Sequence, residues 1–134
     1  MTRVTADSNI YVSALVFSGK PFRLLEMALD RAIHLAISPA IREETLGVLK
    51  DKFAFSAERL SESQDYLKKC AEVVVPTQTL NVIVSDPDDD RVLECAVEAR
   101  SEIIVSGDSD LLTLKSYAGI RIMKVADFLA EYDR

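Results

Sequence analysis

One histidine, His34, and two cysteines, Cys70 and Cys95, are all the sequence offers of imidazole and thiolate ligands. That scarcity excludes a great deal. A single imidazole cannot build a two-histidine zinc helix or a histidine acid–base pair within one chain. The cysteines stand far apart in the sequence, without the close spacing of a zinc knuckle or a redox pair, and read as free structural thiols. No apolar run reaches the roughly 18 residues a membrane span requires. The chain passes from Met1-Thr2-Arg3 directly into a strand-like segment rather than an apolar signal region, so the expectation is a cytoplasmic protein with no membrane contact. Repeats, low-complexity tracts and linkers are missing too, and residues 1–134 are expected to form one domain. Positive charge is in deficit: 16 Lys plus Arg stand against 22 Asp plus Glu, for a net charge of -6. Nucleic-acid binders are usually basic, so this balance argues against such a partner unless the acids have another use.

What is present is an ordinary globular composition, 49% hydrophobic and 28% charged, rich in carboxylate. Chemistry carried by Asp and Glu favours hard cations such as Mg²⁺ or Mn²⁺. Short β-branched or apolar segments alternate with helical ones. Arg3–Ala6, His34–Ile37, Glu102–Ser106 and Ile120–Met123 read as strands, and Val73–Pro76 and Leu80–Val84 as strand or extended chain. Helices are expected after Asn9, which is a candidate cap, from Phe22 to about Arg31, from Pro39 to about Lys52, and over Ser56–Ala71. Further helices are expected from Pro87 to about Arg100, over Leu111–Lys115, and over Val125–Tyr132. Ser38-Pro39 and Asp86-Pro87 are start signals with a physical cause, because proline's missing N–H is not needed in a first turn. Strands alternating with helices imply a mainly parallel sheet covered on both faces, an α/β/α arrangement.

In such sheets function gathers where the strands end. Asp7 follows the first strand, and Asp108 and Asp110 follow Glu102–Ser106. Within Asp86–Asp90, Asp86 has the form of an N-cap, and Asp88 and Asp90 sit well against the helix dipole. Asp89 differs, because Val92, Leu93, Ala96 and Val97 continue its stripe toward the core. A carboxylate aimed at an apolar interior needs a partner, and a metal ion is one that suffices. Periodicity separates Glu43 from Glu44 only slightly, in favour of Glu44, which has Ile41 and Val48 on its face.

Taken in order, Asp7-Ser8-Asn9, Ser38-Pro39-Ala40-Ile41-Arg42-Glu43-Glu44, Asp86-Pro87-Asp88-Asp89-Asp90 and Val105-Ser106-Gly107-Asp108-Ser109-Asp110-Leu111-Leu112 resemble the PIN-domain family. The likeness is greatest to the toxin components of prokaryotic toxin–antitoxin systems. It spans nearly the whole chain, and the last motif is its most specific part. It implies a three-layer α/β/α fold on a central, mainly parallel five-stranded sheet, and a metal-dependent endoribonuclease acting on single-stranded RNA. The acidic quartet of that family falls on Asp7, Glu44, Asp89 and Asp108, with Asp110 auxiliary and Asn9 and Ser106 as flanking polar positions. Two departures are Ser106 where threonine is commoner and Thr45 where leucine is usual.

Four carboxylates brought together repel one another, and one or two Mg²⁺ or Mn²⁺ ions would relieve that repulsion. Two such ions would take the formal charge from -6 to -2. On this reading Asp7, Asp89 and Asp108 are the direct ligands, with Glu44 and Asp110 acting through water. Lys20, Arg23 and Arg42, with Lys50 and Lys52, are the candidate phosphate contacts. The low positive charge leaves room for a cognate antitoxin whose basic segment enters the acidic cleft, and for a homodimer or larger assembly that lengthens the RNA surface. The alternative is a catalytically idle PIN-like module that binds RNA or protein. A phosphoryl-transfer receiver lacks its second acid near Asp7, and an EF-hand is excluded by Pro87 and the missing glycine and distal glutamate.

Overall fold

The computed structural model describes residues 1–133. Its strands are β1 (Thr2–Ala6), β2 (Ile33–Ile37), β3 (Ala71–Val73), β4 (Ile103–Val105), β5 (Ser116–Tyr117) and β6 (Ile120–Met123). They form one sheet in the order β3-β2-β1-β4-β6-β5. Five are parallel, as expected. The sixth, β5, is a two-residue antiparallel addition that pairs Tyr117 with Ile120 and caps the β6 edge. The helices are α1 (Ser8–Phe17), α2 (Gly19–Leu29), α3 (Pro39–Asp51), α4 (Ala57–Cys70), α5 (Pro87–Glu98), α6 (Ser109–Leu114) and α7 (Val125–Tyr132).

Strand order reverses at β1. The chain leaves β1 toward β2 through α1 and α2, and crosses back from β3 to β4 through α5. Right-handed crossovers in opposite directions place their helices on opposite faces, giving three α/β/α layers. β1 shows the division in its side chains: Thr5 bonds Ser101 at 2.8 Å and lies beside Cys95 of α5, so Val4 and Ala6 alternate to the other face. The core is built from the central strands, where Val4, Ala6, Leu35, Ile37, Ile103, Ile104 and Val105 are at most 1% exposed. Cys70 and Cys95 are both buried free thiols, and burial pushes each up to about 11. They are inert packing residues.

Several helix boundaries differ from the sequence reading, each for a local reason. Asp7, not Asn9, caps α1, and Asn9 lies exposed within the helix. α2 begins at Gly19 because Ser18 at φ 58° and Gly19 at φ 71° make the turn between them, which leaves Pro21 in the first helical turn. α2 and α5 stop two residues before Arg31 and Arg100, which adopt left-handed φ of 61° and 55°. Ala32 N–H reaches back to Met27 O and Ser101 N–H to Ala96 O, both at 2.9 Å, the six-to-one bond of a Schellman ending. No glycine announces either stop. α4 runs unbroken through Ser61-Glu62-Ser63, with Ser63 Oγ donating to Arg59 O at 2.8 Å.

Leu80–Val84 is extended chain rather than strand, and its N–H groups go to carboxylates on α5 instead of to a ladder. Asp90 Oδ1 accepts from both Val82 N and Ile83 N at 3.0 Å. One turn further along, Glu94 Oε2 accepts from Leu80 N at 2.8 Å, and one turn beyond that Glu98 Oε1 accepts from Thr77 N at 2.9 Å. Three acids at four-residue spacing lie on one helix face, and they hold residues 77–83 as a strap along α5. Asp90, read from sequence only as an acid set against the helix dipole, is also a buried anchor, 2% exposed. Replacing Asp90 by Ala strands two backbone donors and should cost about 1–3 kcal/mol in urea unfolding. Asp90→Asn, which keeps an acceptor oxygen, should lose clearly less; equal losses would mean that the two bonds contribute nothing.

Candidate metal centre

The site lies outside the strand ends where the order reverses, the crevice in which open α/β sheets hold ligands. Ala6 of β1 is in register with Val105 of β4, so the next residues, Asp7 and Ser106, leave the sheet side by side. Their side chains meet: Ser106 Oγ donates to Asp7 Oδ2 in a short bond. The same hydroxyl oxygen accepts from Asp108 N at 2.9 Å. Ser106 is 0% exposed and Asp7 4%, so this hydroxyl is a fixed joint between two strand ends. Serine supplies it as well as threonine would.

Three helices start at this edge, each with an aspartate as its N-cap. Asp7 Oδ1 accepts from Ile10 N at 3.0 Å. Asp86 Oδ1 accepts from Asp88 N at 3.1 Å. Asp108 Oδ1 accepts from Asp110 N at 2.8 Å and Leu111 N at 3.3 Å. Each cap satisfies donors that the first turn leaves without partners, and the positive ends of the helix dipoles favour the carboxylate charges.

Asp89 sits in the first turn of α5 beside Val92 and Leu93, 8% exposed, with Oδ2 buried and without a hydrogen-bond partner. Oxygen atoms of Asp86, Asp89 and Asp108 lie within 4.8 Å of one another. Burial, then the adjoining Asp108 carboxylate, then the charges of Asp86 and Asp7, push the Asp89 carboxyl up to about 8. Asp7 is raised as well, chiefly by burial and further by Asp108 and Glu44; its bonds from Ser106 and Ile10 oppose the shift. Glu44 is raised by desolvation and by Asp88 and Asp86, with the Ser8 hydroxyl acting the other way. It stands exposed on α3 at the rim, and it is the glutamate of its pair whose charge reaches Asp7. Thr45 beside it is buried with its hydroxyl on Ile41 O at 2.8 Å, which is how a polar residue fits where leucine is usual.

Asp7, Glu44, Asp89 and Asp108 therefore converge from four elements. Asp86, read from sequence as a cap alone, joins them; the signal was present in Asp-Pro closing an extended segment, and capping explained it too completely. Asp110 lies to one side, where its Oδ2 accepts from Ser85 Oγ at 3.0 Å and ties the strap to α6. Arg23 is not part of the cluster. It forms a two-point ion pair with Asp133 at 2.9 and 3.0 Å, and the other acids near it are Glu26 and Asp30. Lys20 lines the same groove between α2 and α7, while Arg42 is half-buried on α3, two residues before Glu44. His34 bonds Glu72 at 2.7 Å across β2 and β3 and takes no part in the cluster.

The donor set suits a hard divalent cation. It is all carboxylate oxygen, part of it buried, with an unpartnered oxygen at its centre.

A family model described as PIN domain matches residues 3–110. The chain belongs to the PIN-domain family. The match covers all four converging acids and the strap. Among solved structures the PIN domain is similar to the crystal structure of VapBC2 from Rickettsia felis bound to a DNA fragment from their promoter. The two share 16% sequence identity at a TM-score of 0.65, over 90% of this chain and 97% of that one. That likeness concerns the fold. None of the curated proteins compared with the chain matches it.

Without metal, the native PIN domain keeps a proton on Asp89 over a range in which the unfolded chain has released it. Folding stability should therefore fall as pH rises from about 4 toward about 8 and level off above that. Asp89→Asn should flatten this slope and melt higher than the parent at pH 8 in EDTA. A metal-free parent whose melting temperature rises through that window would show that Asp89 is not held protonated.

Proposed function

We propose that this PIN domain is a divalent-metal-dependent endoribonuclease that hydrolyses phosphodiester bonds in single-stranded RNA, and that it is the toxin of a toxin–antitoxin pair. The observation that carries the reading is the buried, unpartnered Asp89 oxygen facing the Asp86 and Asp108 carboxylates. Buried like charges side by side are costly unless a proton or a cation lies between them. Membership of the PIN-domain family supports the same conclusion.

Asp89 and Asp108, with Asp7 and Glu44, would hold one or two Mg²⁺ or Mn²⁺ ions. Such an ion, when bound, supplies water activation at neutral pH and offsets the charge that builds on the phosphate oxygens. The chain's own residues supply the placement. Ser106 and the N–H of Ile10 fix the Asp7 carboxylate in direction, and the α6 amides fix that of Asp108. Glu44 at the rim would orient water, and Asp110, bonded to Ser85 to one side, would act only through water. The single imidazole, His34, is bonded to Glu72 and stands apart from the cluster. Arg42, two residues before Glu44 on α3, is the proposed phosphate contact, while Arg23 is bonded to Asp133 and Lys20 lines the groove beside it. The fold likeness to VapBC2, solved with promoter DNA, supports a partner protein; a basic antitoxin segment suits a cleft of this charge. A second copy of the chain would lengthen the RNA-binding surface.

Purified protein with Mn²⁺ should cleave a single-stranded RNA and spare the same sequence in a duplex. Asp89→Asn and Asp108→Asn should each lower the rate at least about 100-fold. Folded variants that keep full metal-dependent activity would place the site elsewhere. Mn²⁺ binding by the parent without any cleavage would favour the idle module.

A further inference from the structure

We infer that Asp86 is a direct ligand of the cation, a fifth carboxylate beyond Asp7, Glu44, Asp89 and Asp108, which closes the site from the strap side. This rests on the metal-dependent reading above and extends it to a residue whose capping role conceals it.

The cap uses only one oxygen. Asp86 Oδ1 takes the Asp88 N–H, which leaves Oδ2 for another partner. Asp108 is arranged in the same way, with Oδ1 on the amides of Asp110 and Leu111 and Oδ2 left over. Asp7 differs, because Ile10 N and Ser106 Oγ each bond one of its oxygens, so only their second lone pairs remain for a cation. Asp89 lies between the two half-used caps, nine-tenths buried, with Oδ2 lacking any donor. Among the described residues, Asp86, Asp89 and Asp108 bring oxygens within 4.8 Å of one another, so this close grouping includes Asp86.

The placement is also rigid. Pro87 restricts the backbone of Asp86, which is extended at φ -148° and ψ 94°. The strap before it is held by Asp90, and Ser85 is held by Asp110. A ligand at this point couples cation binding to the order of the strap, because releasing the 82–86 segment would withdraw one carboxylate.

The test is Mn²⁺ binding to the purified chain, followed by titration calorimetry and by the electron paramagnetic resonance signal of free Mn²⁺, with no RNA present. Asp86→Asn keeps an N-cap acceptor and loses the charge, so its metal-free melting temperature should stay close to the parent's while its Kd for Mn²⁺ rises about tenfold or more. Asp86→Ser, a second capping residue without a carboxylate, should do the same and stands in if the asparagine variant folds poorly. Asp88→Asn, an exposed neighbour on the same turn, should change Kd less than about threefold. If both Asp86 variants bind Mn²⁺ like the parent while Asp89→Asn binds weakly, Asp86 only caps α5 and the inference fails while the proposed function stands. If the parent itself binds no Mn²⁺ at millimolar concentration, both fall.

Discussion

The use of one carboxylate oxygen to cap a helix while the other faces its neighbours is the constraint on which this edge of the molecule depends. Asp7, Asp86 and Asp108 each begin a helix, and each cap fixes its side chain at χ1 before any ligand arrives. Like charges would otherwise turn away from one another into solvent. The caps prevent that turn, and the helix N-termini behind them make the accumulation of negative charge tolerable. Asp89 has no such support, and burial beside Asp108 pushes its carboxyl up to about 8.

The sheet supplies the second requirement, which is nearness. Asp7 and Ser106 are far apart in the chain, yet the register of β1 against β4 places them next to each other, and the Ser106 hydroxyl then joins Asp7 to the start of α6. A slip of one residue would send these side chains to opposite faces. Val4–Ala6 and Ile103–Val105 are buried on both faces and leave no room for such a slip, so core packing and site geometry have a common cause.

Acid residues have a second occupation here that has nothing to do with metal. Asp90, Glu94 and Glu98 form a row on α5 that accepts backbone N–H groups from the strap. Together with the five acids of the cluster they make eight of the 22 acids, and the remaining 14 are outnumbered by the 16 Lys and Arg. A net charge of -6 says little about whether such a protein meets RNA, because local placement decides which charges a ligand encounters.

Much of this was readable from residue order alone, and the reason is that the interactions involved are local. Proline after an Asp or Ser cap, a strand of β-branched residues, and Asp89 on an apolar helical stripe all depend on neighbours within four positions, and each appears where expected. The ends of α2 and α5 were not readable, since arginines stand where glycine would mark a left-handed turn. Nor was β5, which is too short to carry a pattern. Capping by Asp86 and Asp90's position after it were likewise local facts, and they accounted for those residues so fully that nothing pointed to the cluster or to the strap. Only the tertiary structure decided that an oxygen left over from the Asp86 cap would lie within 4.8 Å of Asp89 and Asp108, because that distance is set by the packing of α5 against β1 and β4, between segments that no short-range pattern relates.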